Sequence, residues 1–142
     1  MGISIRAGYR DDQRDWTYSY GTFALLRDAL SAELGFPDRK ERYEPMMTDH
    51  RLLGYWVHPT EEHHIGDTVD EPEDDIDFLM LHQDCEGILP YWAALRAGDR
   101  LREIAEGMEE PRLFGFNARG LAFELAGLLE WAGENGYMVH FS

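Results

Sequence analysis

Ile76-Asp77-Phe78-Leu79-Met80-Leu81-His82-Gln83-Asp84-Cys85-Glu86-Gly87 is an apolar run that ends in a cluster of polar, reactive side chains. Residues 78–81 carry no Lys or Arg, follow an acidic stretch, and are followed by Gly87 and Pro90. Those boundaries predict a short buried strand at the centre of the fold. His82, Asp84 and Cys85 then fall at its C-terminal end, just ahead of a helix. In open sheets covered by helices, ligands bind at that edge.

Outward from this stretch, the pattern alternates between strands and helices. Ile3 and Ile5 alternate with Ser4 and Arg6, which predicts a first strand with one buried face. Residues 10–15 are polar and read as a turn. Ser19 or Thr22 can cap a helix carrying Phe23, Leu26, Leu30 and Leu34, ended by Gly35 and Pro37. Residues 38–51 are mixed, with a single helical turn around Met46 and Met47. Residues 52–58 read as a strand stopped by Pro59, and residues 59–76 as an acidic loop in which Pro72 forbids a central strand. Leu89, Trp92, Ala93, Ala97, Leu101, Ile104 and Met108 keep a helical stripe, with a kink expected at Gly98. Asn117 caps a last helix that Asn135-Gly136 ends, with Phe116 placed to staple onto Leu121, and residues 137–141 read as a closing strand. The order predicts one α+β domain over 1–142, a three- or four-stranded, mostly antiparallel sheet with about three helices packed on one face.

Composition narrows the class. At 142 residues the chain is one domain's worth, and 44% hydrophobic residues exclude whole-chain disorder. No run approaches the roughly 18 apolar residues of a membrane span, and no basic region followed by an apolar stretch opens the chain. With Cys85 the single cysteine, no internal disulfide can form and a cytoplasmic, reducing home is expected. The formal charge is −15, and residues 52–95 hold eleven acids without one Lys or Arg. Such a patch repels phosphate, which argues against direct binding of nucleic acid or an anionic membrane. It fits a cation, a basic partner protein, or mimicry of a nucleic-acid backbone, while its bland reading is a solvated, solubilising loop.

Three chemistries compete for the residues around the central stretch. A divalent metal would take His82, Asp84, Cys85 and Glu86, with His63 and His64 approaching from the preceding loop. No spacing here matches a closed zinc site or a calcium loop, and the plainer reading of His82 is a strand-end histidine hydrogen-bonded to backbone. A cysteine nucleophile is opposed by Asp84 and Glu86, which flank the sulfur and raise its pKa. An aromatic rim of Trp16, Tyr55, Trp56, Tyr91 and Trp92 would suit a planar ligand, if these rings are not ordinary core.

The segment His82-Gln83-Asp84-Cys85-Glu86-Gly87, followed by Pro90 and the Leu101-Arg102-Glu103-Ile104 helix, resembles a group of small bacterial and phage proteins. These begin Met-Gly and carry a His-Ser-Asp-Cys-Asp-Gly segment ahead of a Pro-started helix. Gln83 stands here in place of Ser and Glu86 in place of Asp. The resemblance implies that residues 82–87 matter. It also implies a phage or prophage setting, in which an acidic inhibitor of a nucleic-acid-binding host protein would be at home.

Two functions therefore stand side by side. The first, favoured because no clear catalytic constellation is present, is a non-enzymatic acidic binding or inhibitor protein, monomeric or homodimeric. It would use Glu71, Glu73, Asp74 and Asp75 against a basic or nucleic-acid-binding partner, or sequester a small ligand. The second is a metal-dependent hydrolase centred on His82, Asp84 and Cys85.

Overall fold

In the computed structural model, residues 2–9, 11–47, 72–81, 87–109 and 116–142 are described. Alternating apolar residues make the first strand, β1 (Gly2–Tyr9), in which Ile3, Ile5 and Ala7 are buried. It turns back antiparallel into β2 (Asp12–Ser19), in register from Gly2 opposite Ser19 to Tyr9 opposite Asp12. The polar stretch expected to be a turn is thus half of a strand. Only Trp16 is buried in β2 and Tyr18 half-buried, so its sequence lacks the alternation that marked β1.

Ser19 ends β2 and caps α1 (Tyr20–Glu33), its hydroxyl accepting from the Thr22 N–H at 3.1 Å. Gly35, at φ +92°, stops that helix: its N–H donates to Ala32 and the Phe36 N–H donates to Ser31, closing a Schellman motif. The turn expected at Met46 is longer than read, a helix α2 (Arg39–Met47).

The stretch 78–81 is buried as expected but is not a strand. It forms a single helical turn, α3 (Asp77–Met80), continued by the buried Leu81. An apolar run buried on every side looks the same as a strand or as a turn of helix, and the preceding residues decide. The Asp74 carbonyl accepts from the Asp77 N–H at 2.9 Å and the Asp74 carboxylate from the Ile76 N–H at 3.0 Å, which coils the chain before Phe78. The strand lies further on, at β3 (Gly87–Leu89).

Helix α4 (Tyr91–Gly107) runs unbroken through Gly98, contrary to the expected kink. A Cβ there would meet the Glu130 nitrogen at 2.9 Å, so the glycine lets α4 approach α5 (Ala118–Glu134) rather than bend. Asn117 caps α5 as read, its side chain accepting from the Gly120 N–H at 2.8 Å. Gly136, at φ +72°, ends it in a second Schellman motif and releases the chain into β4 (Val139–Phe141).

The four strands form one antiparallel sheet in the order β2-β1-β4-β3. Its inner face carries Ile3, Ile5, Ala7, Trp16, Leu89, Val139 and Phe141, and the helices pack over these residues into one core. Its outer face exposes Arg6, Asp15, Thr17 and His140. The fold is α+β, with helices on one face of a four-stranded antiparallel sheet. The strand read over residues 52–58 and the loop up to Glu71 lie outside the described residues.

Candidate functional site

The acidic segment before the central stretch is where charge is most densely organised. Glu73, Asp74 and Asp75 were read as a free surface, and each meets an arginine from a helix. Arg100 grips Asp74 with both arms of its fork, Nε to Oδ1 at 3.0 Å and Nη2 to Oδ2 at 3.1 Å, with Nε also 3.3 Å from Oδ2. Arg96 holds Asp75 through Nη2 at 2.7 Å and Nε at 3.1 Å. Arg42 of α2 reaches Glu73 at 3.1 Å. Arg96 and Arg100 stand four residues apart on α4, so one helix face presents both forks to the segment. Burial works against ionising Asp74, but the Arg100 hydrogen bonds and the Ile76 N–H outweigh it and hold its carboxyl below the usual range.

Beneath these pairs lies Asp77, 1% exposed. Among the described residues its Oδ2 has no hydrogen-bond partner. Burial pushes its carboxyl up to about 6, partly offset by the Asp74 backbone N–H and reinforced by the Asp74 charge. Tyr43 of α2, also buried, is pushed up to about 12 by burial and then by the Asp77 charge. Arg27 of α1 crosses the same region, donating to the Leu79 carbonyl at 2.9 Å with its guanidinium 4.1 Å from the Phe23 ring centre.

A second polar group occupies the edge of the sheet. The Tyr18 hydroxyl donates to Glu124 of α5 at 2.7 Å, and Thr17 donates to Asp15 at 3.1 Å. Asp15, Trp16, Thr17, Tyr18 and Glu124 line a groove of about 450 Å³. Where α4 crosses α5, burial and a hydrogen bond with Glu130 push Asp99 up, while the Arg102 guanidinium keeps Glu130 low.

The expected aromatic rim divides where it is described. Trp16 packs on Tyr18 and Phe23, Trp92 meets Phe78 edge-on at 5.6 Å, and Tyr91 is half exposed. Tyr55 and Trp56 lie outside the described residues, as do His63, His64, Glu71, His82, Asp84, Cys85 and Glu86. Among the described residues no group of three or more His, Cys, Asp or Glu side chains is placed to hold a metal ion. No helix among them is long and apolar enough to cross a membrane.

Sequence reading missed the arginine forks and the buried Asp77 and Tyr43. The four-residue spacing of Arg96 and Arg100 was the available signal, since it puts two cations on one helix face beside the most acidic stretch of the chain. No family model, curated protein or solved structure matches the chain.

Proposed function

We propose that this protein is a non-enzymatic acidic binding protein whose partner is a basic protein surface of the kind that holds nucleic acid. One observation supports this reading above the others. Among the described residues fifteen carboxylates are exposed, against three exposed basic side chains, Arg6, Arg14 and Lys40. The remaining arginines are paired with Asp28, Glu73, Asp74, Asp75 and Glu130 or lie over aromatic rings. The field outside the molecule is therefore more one-sided than the ion pairs alone would indicate. Such a field steers a basic partner into contact and competes with phosphates for the same lysines and arginines.

The test uses a partner recovered on the immobilised chain at low salt and then purified. The complex should reform from the two components at fixed stoichiometry, weaken at least about tenfold as sodium chloride is raised to several times its starting level, and be displaced by excess duplex DNA. A partner whose affinity ignores salt and DNA would sink the reading. Neutralising Asp74 and Asp75 is the wrong variant, because it also cuts the α4 forks. Exposed acids such as Asp12 and Asp15 are the informative ones. Native mass spectrometry of chain purified without chelator or nickel gives the opposing outcome. A stoichiometric metal that is lost on His82→Ala would transfer the function to the polar end of the central stretch.

A further inference from the structure

We infer that the outer edge of β2 is the docking site of the proposed basic partner, which adds an extended, Lys- or Arg-bearing segment as a fifth strand of the sheet. This inference rests on the acidic-binding reading and specifies its surface and mode. Among the described residues β2 ends the sheet: all eight of its residues are in register with β1 on one side, and the sheet order places it outermost. In an antiparallel strand about every second residue turns its N–H and C=O away from its neighbour, so an edge of this length offers about four residues for pairing. Residues 12–15, Thr17 and Ser19 are exposed.

The groove follows that edge. Consecutive strand residues point to opposite faces, so a cavity that touches Asp15, Trp16, Thr17 and Tyr18 together lies along the side of the strand rather than over either face. Trp16, whose buried ring packs on Tyr18 at 4.5 Å, is among its lining residues, and Glu124 joins it from α5. Carboxylates flank it at Asp12, Asp15 and Glu124, while the one basic residue of β2, Arg14, has its guanidinium 4.3 Å over the Trp131 ring.

Charge decides which strand can pair there. Sheet edges are commonly guarded by proline or lysine, and residues 12–19 contain neither. A second copy of this chain would bring a strand that also carries Asp12 and Asp15, on a molecule of net charge −15, against this edge, so self-pairing is opposed by like charge. A strand with lysine or arginine at alternate positions presents them all on one face, where they meet Asp15 with opposite charge while Asp12 adds to the attracting field, and it takes its affinity from main-chain hydrogen bonds.

The probe is a capped eight-residue peptide of alternating valine and lysine, titrated at low salt into the full isotope-labelled chain. The amide shifts and the gain in hydrogen-exchange protection should concentrate on residues 12–19. Asp12→Lys/Asp15→Lys should weaken binding at least about tenfold, and Glu41→Lys/Glu44→Lys, the same charge change on α2, by less than about twofold. A fully N-methylated peptide keeps its charge but has no N–H donors, and it should also bind at least about tenfold more weakly. If the peptide binds with its shifts on other elements, or the N-methylated form binds equally well, strand addition is overturned while the acidic-binding reading stands. If neither peptide binds at low salt, both fall.

Discussion

At the scale of single residues, Asp77 carries the clearest consequence. Its carboxyl is 1% exposed, one oxygen has no hydrogen-bond partner among the described residues, and its pKa is pushed up to about 6 from the ordinary 3.8. A folded-state value above the unfolded one means the folded chain binds this proton more tightly. Stability from this group is therefore fullest at acid pH, falls as pH rises between about 4 and 6, and stays reduced at neutral pH. Asp77→Asn removes the charge and keeps an oxygen for the Asp74 N–H. The stability of the variant relative to wild type should be lowest at pH 4, where the extra buried amide N–H counts against it, and rise to a plateau above about pH 6.5. A shift of this size is worth on the order of 1–2 kcal/mol once the buried amide N–H is charged against it. Asp74 acts in the opposite sense. Its lowered pKa contributes stability that is lost as pH falls below the ordinary carboxylate range, and the same acid limb should persist in both proteins. Denaturant unfolding at a series of pH values reads the difference directly; a difference independent of pH would mean that folding does not shift the Asp77 pKa.

At the scale of elements, the α4–α5 pair depends on two missing side chains. Gly98 admits Glu130, and Gly133 admits Leu95, whose backbone nitrogen would stand 2.9 Å from an added Cβ. A contact with backbone cannot be relieved by turning a side chain, so Gly133→Ala should separate the helices at a cost of about 3 kcal/mol. Gly127 lies in the interior of the same helix with nothing within 4 Å of an added Cβ. Gly127→Ala should accordingly stabilise by up to about 1 kcal/mol through helix propensity alone. Thermal unfolding of the two variants compares them, and equal shifts of one sign would contradict the close approach. These helices also mark how far sequence reading reaches. The caps at Ser19 and Asn117, the stops at Gly35 and Gly136, and the alternation in β1 are local signals, and the structure bears each of them out. The strand character of β2 is imposed by pairing with β1, since Trp16 and Tyr18 alone face the core and residues 12–15 are polar. Residues 78–81 were rightly read as buried, but Pro72-Glu73-Asp74-Asp75 was a helix-start signature whose meaning depended on Asp74 folding back on Ile76. The acidity of that segment was legible. The spacing of Arg96 and Arg100 marks a cationic helix face, but its pairing with acids 21 to 26 residues away, like that of Arg42 with Glu73 across 31, is a product of the fold.

At the scale of the whole molecule, the decisive quantity is how charge divides between inside contacts and outside field. Net charge −15 counts every acid equally, yet Glu73, Asp74, Asp75 and Glu130 are held by arginines, and the exposed remainder is overwhelmingly acidic. Salt acts on both populations with opposite sign. Screening weakens the arginine pairs, which destabilises, and weakens repulsion among the surface carboxylates, which stabilises. The Asp74 pair is less exposed and doubly hydrogen-bonded, so it is screened less than charges in open solvent. Repulsion should therefore dominate the response, and the melting temperature should rise by about 3–6 °C as sodium chloride increases from about 20 to 500 mM. Chloride is the right anion for this measurement, because sulfate stabilises most proteins by exclusion from their surface and would imitate the effect. Asp12→Lys/Asp15→Lys relieves the repulsion at one edge by substitution instead of screening, and its melting temperature should depend less on salt than that of the wild type. A wild-type melting temperature that falls steadily with sodium chloride would mean that the arginine forks, and not the surface carboxylates, dominate the electrostatics of the folded chain. That result would remove the outward field on which recognition of a basic partner depends.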